Sequence, residues 1–214
     1  MWLAVVSQPS SRSAVIAAPG QVDKSLGEFW VENPWDIVKS GYNLSAYERN
    51  RTWMNLRGGN FIDLSYLTGM DSDGDGRCVV AGDFHNDGRL DVVVRQIGGG
   101  PLLFFENRFP QRHYLKVTLR GQQSNRQGVG ARLTAVVNGQ QLVREMYPLN
   151  SFRSQMPNIV HFGLGDATKV DRLTIRWPSG KIQVLADVRA DAHVVIDEGR
   201  EAYTLVVPGQ VIEP

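Results

Sequence analysis

A chain of 214 residues, 42% hydrophobic and 21% charged, has apolar mass for one large or two small folded domains, which excludes a disordered chain. Lysine and arginine number 23 against 22 aspartate and glutamate, so the net charge of +1 offers no field for a nucleic-acid partner. Cys78 stands alone, which excludes an intrachain disulfide, and no apolar run approaches the ~20 residues of a membrane-spanning helix.

Residues 1–45 form an N-terminal segment. Met1 to Val6 is apolar but short, lacks a basic start and is interrupted by Ser7-Gln8-Pro9. It reads better as a strand and its flank inside a longer architecture than as a secretory leader. Asn33 as a cap, Pro34 at the first helical position and Gly41 at the end predict a short helix through Trp35–Lys39. The segment is an incomplete blade-like unit with that helix. Asn43-Leu44-Ser45 and Asn50-Arg51-Thr52 match the glycosylation acceptor pattern, which is common by chance.

Residues 46–108 are repetitive. A strand through Glu48–Asn55, a Gly58-Gly59-Asn60 hairpin signal and a strand through Phe61–Leu64 are echoed after Gly98-Gly99-Gly100-Pro101 by Leu102–Asn107. Between the two lies Asp83-Phe84-His85-Asn86-Asp87-Gly88-Arg89-Leu90-Asp91, flanked by Cys78–Ala81 and Val92–Val94. Asp83, Asp87 and Asp91 take its first, fifth and ninth positions, and Gly88 sits at a sharp turn. Hard oxygen ligands converging from alternate positions suit Ca²⁺, with Arg89 adding its backbone carbonyl. The competing reading is a β-turn whose Asp side chains bond their own backbone. Asp71, Asp73 and Asp75 supply the first half of a second such loop, without a closing carboxylate at Val79.

This region resembles the FG-GAP or VCBS repeat, a β-propeller blade motif of integrin-type and bacterial surface proteins. The family's loop has Asp or Asn where His85 stands here. The resemblance implies propeller-type blades and calcium as a cofactor.

Residues 109–200 change character. From Asn107 to Arg144 there is no acid but seven bases: Arg108, Arg112, Lys116, Arg120, Arg126, Arg132 and Arg144. Tyr114–Arg120 alternates as a half-buried strand, Ala131–Val137 follows, and Asn138-Gly139 turns the chain into Gln140–Met146. Strands at His161–Gly165, Arg172–Trp177, Ile182–Leu185 and Val194–Ile196 complete a β-sandwich. Trp177 belongs in its core, and Gly163 or Gly165 is expected at positive φ. Residues 201–214 read as a tail. The motifs Ser124-Asn125-Arg126, Gly128-Val129-Gly130-Ala131-Arg132, His161-Phe162-Gly163-Leu164-Gly165 and Trp177-Pro178-Ser179-Gly180 resemble the ASPIC/UnbV domain of the cartilage acidic protein-like family. That resemblance implies a secreted or cell-surface protein for adhesion or scaffolding.

The fold class is therefore all-β, partial propeller-type blades followed by a sandwich. None of His85, His113, His161 and His193 lies in a recognisable catalytic motif, so no catalytic residue is assigned. Three functions compete. One is a noncatalytic calcium-binding module with a protein or glycan ligand. Another is an anion- or glycan-binding module using residues 108–144, with Arg126 and Arg132 as ligand-binding candidates. The third is a hydrolase whose carboxylates imitate calcium ligands. Two blades cannot close a propeller, so self-association or further blades are expected.

Overall fold

The computed structural model describes residues 49–72, 74, 76–96, 101–149 and 151–206. The helix expected near Trp35, Asp73 and Asp75 of the second loop, and most of the expected tail lie outside the described residues. The described residues fall into two compact units, 49–77 with 95–96 and 101, and 78–94 with 102–206.

In the first unit, β1 (Trp53–Arg57) and β2 (Asn60–Asp63) pair as an antiparallel hairpin. Gly58 and Gly59 make its turn at φ of 62° and 85°, conformations that a Cβ would resist. One turn of helix, α1 (Ser65–Thr68), follows. Asp63 starts it by accepting the Ser65 backbone N–H at 2.8 Å, and Gly69 ends it at φ 66°.

Strands β3 (Gly76–Gly82), β4 (Asp91–Gln96) and β5 (Leu103–Phe105) form a sheet in that order. A propeller blade has four strands. Among the described residues, 49–107 hold a two-stranded and a three-stranded sheet.

The rest of the second unit is built from eight strands. They are β6 (His113–Arg120), β7 (Arg132–Val137), β8 (Gln140–Glu145), β9 (Val160–Gly165), β10 (Lys169–Arg176), β11 (Ile182–Arg189), β12 (Ala192–Asp197) and β13 (Tyr203–Leu205). They make two four-stranded sheets, ordered β11-β10-β7-β8 and β13-β12-β6-β9. Pairing is antiparallel except between β6 and β12, which run parallel. Because side chains alternate along a strand, each sheet turns one face inward. Leu115, Val117, Phe162, Val194 and Ile196 of one sheet join Leu133, Ala135, Leu173 and Ile175 of the other in a single buried cluster.

Trp177 lies in that cluster at 2% exposure and donates its indole N–H to Gln183 Oε1 at 3.0 Å. Asn138 and Gly139 take φ of 48° and 77°, the twisted two-residue turn that suits a hairpin. Gly165 takes positive φ; Gly163 does not. The sheet also continues past residue 200, since β13 pairs with β12 where a tail was expected.

Candidate functional site

The loop between β3 and β4 is held by its own carboxylates. Asp83 accepts the backbone N–H groups of Asp87 and Gly88, each at 3.0 Å, and the Lys116 ammonium at 2.8 Å. Both partners of that ion pair are buried, their side chains 4% and 10% exposed. Asp87 accepts the Arg89 backbone N–H at 2.9 Å and pairs with the Arg89 guanidinium, which holds its carboxyl below the usual range. Asp91 accepts the backbone N–H of Asn107 at 2.8 Å, and its other oxygen lies 3.1 Å from His85 Nδ1. Burial pushes the Asp91 pKa up, but these hydrogen bonds outweigh it and the net shift is downward.

Each of the three carboxylates thus faces its own base: Lys116, Arg89 or His85. A Ca²⁺ ion takes roughly six to eight oxygen ligands converging on one point. This donor set does not fit such an ion in the arrangement described, because the Lys116 ammonium and the Arg89 guanidinium already stand against Asp83 and Asp87. Asp71 of the second loop pairs with Arg49 at 2.8 Å.

Lys116 belongs to a row that crosses three strands. Register places His161 of β9 and His193 of β12 beside it, on the face of the sheet turned away from the core. Tyr114, two residues earlier on β6, stacks on His161 with ring centroids 6.0 Å apart and planes 5° from parallel. His161 Nε2 donates to the Gly88 carbonyl at 2.8 Å, and Thr118 Oγ1 lies 2.8 Å from His193 Nε2. Burial lowers the His161 pKa, and burial with the Lys116 charge lowers that of His193 to about 4. Both imidazoles are therefore neutral at pH 7. Gly88 packs so closely that a Cβ would meet the Tyr114 ring at 2.0 Å.

A cleft of about 790 Å³ opens on this face. Tyr114, Lys116, His161 and His193 line one part, while Met146, Tyr147, Pro148, Met156 and Ile159 give it an apolar part. Arg144 also lines it, held over the Phe162 ring at 5.7 Å. Concave, mainly apolar walls with a few fixed polar groups are the usual form of a small-ligand site.

The sequence missed Glu198. It is 6% exposed, and its carboxylate accepts the backbone N–H groups of Gln122, Gln123 and Ser124 at 2.7–2.8 Å and the hydroxyls of Ser124 and Ser179. It fastens together two of the motifs that stand out in the sequence.

The seven bases of the acid-free stretch do not form one patch. Arg108 pairs with Glu106, Arg112 with Asp166 and Lys116 with Asp83. Arg126 is exposed in the loop after β6, where its carbonyl accepts the Gly121 N–H. Arg132 begins β7 on the outer face of the other sheet, 3.7 Å from Glu145.

Fold and site together define an all-β protein whose two-sheet domain carries a cleft on one outer face. Residues 121–202, from the loop fastened by Glu198 to the chain before β13, match the family model described as ASPIC and UnbV. The match begins just after β6, the strand that supplies Tyr114 and Lys116. No curated protein matches the chain.

Proposed function

We propose that the two-sheet domain is a noncatalytic recognition module and that its ligand occupies the cleft on the β13-β12-β6-β9 sheet. The observation that carries this reading is the row His161–Lys116–His193, with Tyr114 stacked at its end, beside an apolar wall. Each polar group there is already fixed by a partner: Lys116 by Asp83, His161 by the Gly88 carbonyl, His193 by Thr118. Groups fixed in this way orient a ligand at little entropic cost. Adhesion or scaffolding outside the cell is the role that suits such a module and the likeness of residues 121–202 to the ASPIC and UnbV family.

The test is a thermal-shift screen of the full chain against sugars, organic acids and short peptides, run in EDTA and again in millimolar Ca²⁺. A ligand that raises the melting temperature, and whose effect is lost in Tyr114→Ala, is the expected result. Calcium alone is expected to leave the melting temperature unchanged, because Lys116 and Arg89 already neutralise the loop. A calcium-dependent rise abolished by Asp87→Ala would return the loop 83–91 to the role of a metal site. Turnover of a screened compound, lost in Lys116→Met, would make the cleft catalytic.

A further inference from the structure

The outer face of the other sheet, β11-β10-β7-β8, carries an arrangement that folding alone does not favour. Register places Arg132 of β7 directly opposite Arg176 of β10, Thr134 opposite Thr174, and Val136 opposite Arg172. The residues between them in sequence, Leu133, Ala135, Leu173 and Ile175, are fully buried. These six therefore point away from the core. Across β11 the same rows continue through Ile182, Val184 and Ala186. Across β8 they continue through Glu145, Val143 and Gln141.

The face is threonine-centred, with Ile182 and Val184 exposed along one side at 65% and 53%. These three rows hold three arginines and one acid, Glu145. Arg132 reaches that acid at 3.7 Å with both side chains more than half exposed, and Arg172 and Arg176 have no ion-pair partner among the described residues.

Like charges directly opposite on neighbouring antiparallel strands are destabilising. The Arg132–Arg176 pair stands in the middle two strands of the sheet, where an opposite charge at either position would stabilise it. Arg172 lies four residues further along β10, about 13 Å away. Cations spaced along one strand, with a like-charged pair at one end, match a linear ligand that repeats its negative charges. We infer that this face binds a polyanionic glycan strand, a sulfated or carboxylated polysaccharide, through Arg132, Arg172 and Arg176.

A nucleic acid is the weaker match. Among the described residues the face carries no aromatic side chain on which bases stack, and it presents no helix or ribbon shaped for a groove. Thr134 and Thr174 offer hydroxyls to sugar hydroxyls, and Val184 and Val143 flank them with apolar surface. The inference does not rest on the cleft, which belongs to the opposite sheet.

Heparin is the probe, immobilised and titrated with the full chain at physiological salt. Desulfated heparin, dextran and a single-stranded and a duplex DNA of matched charge are the comparison ligands. Binding to heparin that weakens about two- to fivefold in each of Arg132→Gln, Arg172→Gln and Arg176→Gln is expected. The triple variant should lose binding, while Arg153→Gln should not. The melting temperature of Arg176→Gln should equal or exceed that of the parent, since the substitution relieves the like-charge pair. That reading separates lost binding from lost folding. Heparin affinity retained in the triple variant would overturn the inference. So would wild-type affinity for dextran, an uncharged polysaccharide, equal to that for heparin. Tighter binding of either DNA than of heparin would overturn it in favour of a nucleic-acid face.

Discussion

Glu198 is the residue on which the two-sheet domain depends most at a single point. Burial alone would raise its pKa, but the Ser124 backbone N–H, the Ser179 hydroxyl and the Gln122 and Gln123 N–H groups hold it at about 2. The folded value lies below the ordinary glutamate value of 4.5. The stability this carboxylate contributes is therefore present above pH 4.5 and lost as the pH falls through 2. His193 acts in the same direction from the opposite chemistry. Its folded pKa of about 4 lies below the unfolded 6.5, so the unfolded chain takes up a proton first and stability declines from pH 6.5 toward 4. Two successive acid windows are expected in melting temperature against pH. His193→Gln should flatten the upper one. Glu198→Gln should remove the lower one and cost roughly 1.5–3 kcal/mol at pH 7, read by urea titration. An unchanged urea midpoint in Glu198→Gln would contradict the role assigned here. The sequence marks Ser124 and Ser179 as parts of motifs, but the acid that joins them is hidden, because three of its donors are backbone amides some 75 residues upstream. The acid-free stretch misleads for a related reason: Asp83, Glu106 and Asp166 reach its bases from outside it.

Elements were legible where a period could repeat. Tyr114–Arg120 alternates over a full strand, and Asn138-Gly139 states its own turn, so β6, β7 and β8 are read to within a residue or so. α1 is four residues long, too short to display a helical period. The parallel pairing of β6 with β12 joins strands about 75 residues apart and leaves no local mark. The loop 83–91 offers two readings of the same aspartates; in the described arrangement Asp83, Asp87 and Asp91 each accept backbone N–H groups, and the Ca²⁺ arm of the thermal-shift screen tests the metal reading. Glycines within the sequence motifs separate by environment. Gly128 has φ 64° and a Cβ there would stand 2.8 Å from the Leu119 Cβ. Gly165 has the same φ but open space, and Gly163 has open space and no positive φ. Gly128→Ala should therefore cost about 2–4 kcal/mol from strain plus overpacking, and Gly165→Ala about 1 kcal/mol from strain alone. Gly163→Ala should cost less than about 0.5 kcal/mol. Urea midpoints in that order check the ranking; equal losses at all three would show that motif membership, and not local geometry, sets the cost.

At the scale of the molecule, the boundary that sequence character places near Pro110 cuts through a folded unit. Residues 78–94 belong with 102–206, and the reason is physical. Lys116 is 8% exposed on β6, and its carboxylate partner is Asp83, on the far side of that boundary. At the other end, Val206 N–H donates to the His193 carbonyl at 2.8 Å, and β13 shields the edge of β12. A fragment of residues 109–200 retains the shared apolar cluster and should fold. It loses Asp83, the loop over the outer face and the edge strand. A fragment of residues 78–206 keeps all three. The longer fragment should unfold at a higher urea concentration, by a margin that exceeds the effect of Asp83→Asn within it, since that substitution removes the ion pair and one acceptor of the loop but leaves β13 and the rest of the loop in place. Removing one partner of a buried pair costs about 3–5 kcal/mol when the other remains buried, and less in the shorter fragment, where water reaches Lys116 directly. Asp83→Asn in the longer fragment should therefore approach, without reaching, the midpoint of residues 109–200. Equal midpoints for the two fragments would mean that the loop and β13 add nothing to the sheet they cover, and the domain would then begin where the sequence changes character.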